Sequence, residues 1–235
     1  MKAIFNRELN AYFHSMLGYV FLTLFVLLGG FMLLLTNLTN FSTSMTAFFS
    51  NMTTWSIFIL PILTMRLFSE ERRTKTEQLL LTAPVSVWEI VLGKFFGALG
   101  IFLVAMLIFV LYPIAMNFYG TVNVAETISC FIGFILFGAT IISIGAFMSS
   151  ITESQIIAAV STYAVMFLLN FVSSIATSAG NEFVSLILTW LSPLNRYYDF
   201  TIGVLNIESL VYYLSFIGIM LFLTVRVFEK RRISK

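Results

Sequence analysis

Two long uncharged stretches leave this 235-residue chain one class of fold. Leu9–Met65, 57 residues, and Phe95–Ala125, 31 residues, contain no Asp, Glu, Lys or Arg. Between them the segment RLFSEERRTKTEQLLLTAPVSVWEIVLGK, Arg66 to Lys94, holds nine of the 24 charged residues. A charge at the centre of a bilayer costs about 2.5–3.5 kcal/mol on insertion scales, so this segment reads as an aqueous loop between membrane spans. Composition agrees: 59% of residues are hydrophobic and 10% charged, where a soluble domain carries about 25% charge. The expected fold is all-α and polytopic, with six transmembrane helices of roughly 20 residues each. No stretch is long or polar enough for a separate soluble domain. The basic residues flank spans, which gives no reason to expect nucleic acid as a partner.

Residues 1–16 read as an amphipathic helix lying in the membrane interface, with Ile4, Phe5, Leu9, Tyr12 and Phe13 at helical spacing and Lys2, Arg7, Glu8 and Asn10 between them. The apolar run that follows is too long for a cleaved signal peptide. His14, the single histidine, falls at head-group level as a boundary residue. The expected spans are Leu17–Thr36, Ala47–Met65 with Pro61 near its end, Val87–Met116, Ala125–Ser149, Gln155–Ile175 and Ser209–Val227. The charged loop divides into a helix over Glu70–Thr82 and, beyond Ala83-Pro84, a capping box at Ser86-Val87-Trp88-Glu89 that opens the third span. Asn123 with Glu126 and Thr152 with Gln155 repeat that spacing, and Asn206 can cap the last span. The fourth span is rich in Gly, Ala and Ser, which lets helix backbones approach closely. Its single cysteine, Cys130, reads as a small packing residue. Residues 176–207 contain an apolar run, Phe183–Leu191, too short to cross, which suggests short re-entrant helices between the fifth and sixth spans.

Orientation follows from charge. With six spans and both termini cytoplasmic, 12 of 13 basic residues lie inside and only Arg196 lies outside. The spans' cores carry no ionisable residue in this reading.

The chain resembles the ABC-2 type permease family, and is most similar to its gliding-motility and NosY-like subgroup. The resemblance rests on FNRELNAYFHS running into GYVFLTLF, on PILTMRLFSEERRTKTEQLLLTAPVSVWEIVLGK, and on LSPLNRYYDFTIGVLNIESLVYYLSF followed by LFLTVRVFEKRR. It implies one ABC-2 type transmembrane domain over residues 1–235, in a bacterial inner membrane. It also implies a coupling region, residues 67–86, that seats in a groove of an ATP-binding subunit, and an extracytoplasmic re-entrant segment, residues 176–207. Many members carry Gly-Thr inside the charged loop where this chain has Lys75-Thr76. The implied partners are two copies of an ABC ATPase, a second permease, identical or homologous, and, in some relatives, an auxiliary subunit with a large outer domain. The chain has no P-loop pattern, so no cofactor is expected on it, and ATP with Mg belongs to the partner.

The expected ATPase-coupling contacts are Glu70, Glu71, Arg72, Arg73, Lys75, Glu77, Leu79, Leu80 and Pro84. Interleaved acids and bases fix register while the leucines supply apolar contact. The plainer reading of the same loop is a solvated positive-inside anchor. At the outer face Glu182, Pro193, Arg196 and Asp199 form either an exit gate or partner contact, or a solvated rim. Tyr197 and Tyr198 are expected in the interfacial aromatic belt. The competing functions are an ATPase-independent secondary transporter, a membrane anchor or assembly subunit, and an intramembrane enzyme. Against the enzyme, Glu70-Glu71 is followed by Lys75 where a Glu-Glu-x-x-x-Arg protease pattern has Arg, and His14 stands alone.

Overall fold

The computed structural model describes residues 2–76, 85–178, 190 and 192–233. Among the described residues every regular element is helical. In chain order these are α1 (Lys2–Phe13), α2 (Met16–Leu33), α3 (Thr46–Thr64), α4 (Ser69–Arg73), α5 (Val87–Phe109), α6 (Leu111–Met116), α7 (Val124–Ile151), α8 (Gln155–Ser178), α9 (Pro193–Thr201) and α10 (Ile207–Ile233). Among the described residues five stretches are long and apolar enough to cross a membrane: Met16–Leu38, Thr46–Arg73, Val87–Met116, Val124–Ile151 and Ile207–Arg232. The chain is a multi-pass membrane protein.

Local chemistry sets the helix ends. The Ser15 hydroxyl accepts from Gly18 N–H and separates α1 from α2. A π-helical turn, Leu34–Leu38, ends the first span, and the buried Asn37 amide donates to the carbonyls of Ser42 and Ser44 at 2.9 and 2.8 Å. The expected capping box is present: Ser86 Oγ accepts from Glu89 N–H while the Glu89 carboxylate accepts from Ser86 N–H. Asn123 accepts from Glu126 N–H, and Asn206 from Glu208 N–H. Thr152 behaves differently from its expected role. It is the C-cap of α7, and its hydroxyl donates to the carbonyls of Met148 and Ser154 instead of opening α8. The third span, expected unbroken, divides at Val110 into α5 and α6, where Pro113 removes a backbone donor.

α7 is the axis of the bundle. It packs against α3, α5, α8, α9 and α10. In the most apolar window of each candidate span, 72% of α7 is buried, against 28–61% for the other four. Its small residues explain the fit. A Cβ on Gly138 would lie 2.4 Å from the Phe102 ring, and one on Gly145 would lie 2.0 Å from Thr64 Oγ1. Around the N-terminal half of this axis stands an aromatic core: Phe25 packs on Phe109 at 5.2 Å and on Phe102 at 5.7 Å, and Phe49 on Phe134 at 5.5 Å.

Gly145→Leu is expected to lower stability by about 1–3 kcal/mol or more, because Thr64 Cβ, itself 2.6 Å from the added Cβ, is fixed to the α3 backbone and cannot swing away. A Cβ on Gly218 meets nothing within 4 Å, and Gly218→Leu is expected to leave stability unchanged. Melting of both variants in detergent, followed by size-exclusion recovery, checks the pair.

Candidate functional site

Charged groups of α1, α4, α5 and the C-terminal part of α10 gather at one end of the bundle. Their centre is Lys94, two turns inside α5, whose side chain is 2% exposed. Its ammonium lies 2.9 Å from Glu71 Oε1 and 3.2 Å from Glu8 Oε1, and donates to Leu67 O at 2.7 Å. All three of its protons therefore have acceptors, which a buried ammonium requires. Arg7 closes the ring, with Nη2 at 2.8 Å from Glu8 Oε1 and 2.9 Å from Glu71 Oε1. Two cations and two carboxylates, brought by α1, α4 and α5, thus neutralise one another.

α1 reaches this position because of Gly97, one turn beyond Lys94. A Cβ there would lie 2.8 Å from the Glu8 Cβ. Tyr12 adds a second tie, donating from its buried hydroxyl to Leu63 O at 3.0 Å. Burial alone pushes the Glu8 carboxyl upward, but Lys94 and Arg7 outweigh it and hold Glu8 below its ordinary 4.5. The Arg7 guanidinium is raised, with its bond to Glu8 outweighing the opposing effect of burial. A cleft of about 290 Å³ opens on this cluster, lined among others by Arg7, Tyr12, Arg66, Glu70 and Thr76.

α4 is fastened on its other side to the end of α7. The N–H groups of Phe68 and Ser69 both donate to Ser149 Oγ, at 3.0 and 3.1 Å. Arg72 donates to the Ile151 carbonyl and pairs with Glu153 at 2.9 Å, while Arg231 of α10 donates to Ser150 O at 2.6 Å. Cations thereby meet the carbonyl end of α7, where the helix dipole favours them.

The expected coupling contacts therefore separate by face. Glu71 and Arg72 turn inward, to Lys94 and to α7. Glu70 pairs with Arg66. Arg73 and Lys75 are exposed. Glu77, Leu79, Leu80 and Pro84 lie outside the described residues. The helix expected over Glu70–Thr82 ends at Arg73, because Lys75 takes φ +61, a left-handed conformation that stops a helix. This is the position where the family resemblance puts glycine, the residue that adopts such a φ without penalty.

At the opposite end, Glu182 and, apart from Trp190, the apolar run Phe183–Leu191 lie outside the described residues. α9 packs into the bundle there. The Pro193 carbonyl accepts from Tyr213 Oη at 2.6 Å, and Asp199 accepts from Ser209 Oγ at 2.6 Å. Arg196 sits 4.1 Å from the Trp190 ring and 3.7 Å from Glu208. Tyr197, expected in the aromatic belt, is instead 3% exposed and packs on Phe137, because α9 turns that side inward; Tyr198 is 67% exposed.

Glu8, Lys94 and Ser149 are the site residues that sequence reasoning misses. It counts Lys94 with the charged loop and reads the span cores as free of ionisable groups. The available signal is an ionisable residue two turns inside an apolar helix. Ser149 offers none, being one of several small residues in α7. Among the described residues no group of three or more His, Cys, Asp or Glu is placed to hold a metal.

An all-helical bundle with several apolar spans and a paired ionic joint at one end defines a multi-pass membrane protein that carries a small charged helix at the end of its second span. Residues 34–228 match the family model described as ABC-2 family transporter protein, and the chain belongs to that family. Its members are permease subunits of ABC transporters and work with an ABC ATPase partner. No curated protein sequence matches the chain.

Lys94→Met leaves Glu8 and Glu71 facing each other with one cation and is expected to cost about 3–5 kcal/mol, as breaking a buried ion pair does. Glu8→Gln added to it is expected to recover part of that loss. Because Glu8 is held below 4.5, its stabilising share is complete above that pH and is lost as pH falls through the lowered value. The melting-temperature gap between the natural protein and Glu8→Gln should be constant from pH 7 to 5 and close below 4.5.

Proposed function

We propose that the chain is the membrane-spanning permease of an ABC-2 type exporter. It forms the translocation path and couples ATP hydrolysis on a partner ATPase to movement of substrate across or out of the membrane. The observation that carries this reading is the two-sided character of α4. Its inward side is bonded to Lys94 and Ser149, while Arg73 at its end and Lys75 in the turn that follows are exposed. A helix that is both fixed to the bundle and charged on its free side suits a docking element that transmits force; a simple positive-inside anchor needs no such fixation. The mechanism is a population shift. ATP closes the partner ATPases, their grooves carry the coupling helices, and the spans tilt as bodies.

The topology that accompanies this proposal has six crossings with both termini cytoplasmic. α8 supplies the remaining crossing: its 24 residues span about 36 Å at 1.5 Å per residue. A second permease completes the path, and the subgroup resemblance extends the proposal to gliding-motility-type assemblies in a bacterial inner membrane, including an auxiliary outer subunit. α9, with Pro193, Arg196 and Asp199, is the proposed outer gate or partner contact. Residues 176–191 lead into it, and Glu182 belongs to the same proposal.

Purification of the complex from its native membrane, with mass spectrometry of what is retained, tests the reading. An ATPase is expected with the natural chain. Arg73→Glu/Lys75→Glu is expected to lose it at least tenfold while keeping the melting temperature, because neither side chain faces the bundle. Recovery of the natural chain without an ATPase, under conditions that preserve other membrane complexes, overturns the reading in favour of a secondary transporter or anchor.

A further inference from the structure

The inner and outer ends of α7 are each tied to a short helix: α4, which ends the second span, and α9, which precedes the last. At the inner end Ser149 does for α4 what an N-cap residue does within its own helix. α4 has no side-chain cap of its own, yet its first N–H groups find the Ser149 hydroxyl, which donates in turn to Met65 O at 3.2 Å. Ser149 and Ser69 are both fully buried. Arg72 and Glu153 repeat the tie one turn further on, and Phe68 packs on Phe228 of α10 at 4.9 Å. The turn that bears α4 and the turn between α7 and α8 therefore form one mechanical piece.

At the outer end the partner of α7 is α9. A Cβ on Gly133 would lie 2.5 Å from Phe200 Cγ, so the two helices touch there without slack. Tyr197 Oη donates to Cys130 O at 3.5 Å, and Cys130 Sγ donates to Phe200 O at 3.6 Å. The α9–α10 turn continues the contact: Gly203, at φ +80, lies against the Glu126 backbone, with an added Cβ 3.4 Å from its Cα. Between the two ties runs a single unbroken helix of 28 residues, about 42 Å long.

We propose that α7 is the rod that carries displacement of α4 to α9, with Ser149 as the positioning residue that fastens its inner end. This rests on the permease reading and deepens it. The ATPase pushes α4, α4 moves with α7, and α9 shifts at the outer face. A close-packed helix suits this role because packed interfaces transmit displacement instead of absorbing it.

The test uses the purified permease–ATPase complex in nanodiscs, with a spin label at Tyr198→Cys. Residue 198 is exposed, and Cys130 is fully buried and stays unlabelled. ATP is expected to change the label's spectrum in the complex. At matched ATPase content and at matched hydrolysis rate, Ser149→Ala is expected to reduce the spectral change by at least roughly twofold, with Ser149→Thr restoring it. If Ser149→Ala does not assemble, Arg72→Gln is read on the same label at matched ATPase content, and the same reduction is expected. A full-size spectral change in the variant that assembles overturns the inference, and so does a complex with bound, active ATPase whose label never responds to ATP. Absence of any ATPase from the unsubstituted preparation overturns the permease reading together with what is built on it.

Discussion

A buried ammonium group is stable only when every proton has an acceptor and its charge has a partner, and the charged end of this protein is arranged around that requirement. Lys94 takes its acceptors from three separate places: Glu8 of the first helix, the Leu67 carbonyl at the end of the second span, and Glu71 of α4. No neighbour in sequence could have supplied them. The ion cluster therefore fixes where α1 lies, where the chain leaves the second span and which way α4 faces. The exposure of Arg73 follows from the inward commitment of Glu71 and Arg72 on the same short helix.

The second organising constraint is spatial. α7 sits at the centre because its glycines, serines and alanines let bulky neighbours approach. The clashes an added Cβ would meet, with Phe102, Phe200 and Thr64, come from three different elements. In a bilayer the apolar effect gives helices no reason to prefer one another over lipid, so such close contact is a main source of specific association. Large aromatic rings on α2, α3 and α5 fill the space that the small residues leave.

Much of the architecture is legible because membrane helices announce themselves by length and charge exclusion. The starts of α5, α7 and α10 agree with their Ser86, Asn123 and Asn206 caps, since capping is local chemistry. Errors arise where a residue's fate depends on a distant segment. Thr152 has the spacing to open α8 but finishes α7. Tyr197 has the composition of an interfacial residue but is turned inward by α9. Lys94 looks like the last charge of a loop, and only the approach of α1 across Gly97 makes it an interior residue. Lys75 shows the intermediate case: the departure from Gly-Thr is visible in the sequence, whereas the left-handed backbone that gives it meaning is not.

The long sequence separations in these ties impose an order on biogenesis. Glu8 leaves the ribosome 86 residues before Lys94, and Phe68 leaves it 81 residues before Ser149. At about 5–20 residues per second, each waits roughly 4–17 s for its partner. During the first interval the Glu8 carboxylate on α1 has Arg7 and water as partners but lacks Lys94. During the second, the turn that will become α4 lacks the hydroxyl that caps it. The element proposed to meet the ATPase thus acquires its cap only once the fourth span has been made, long after its own residues have left the ribosome.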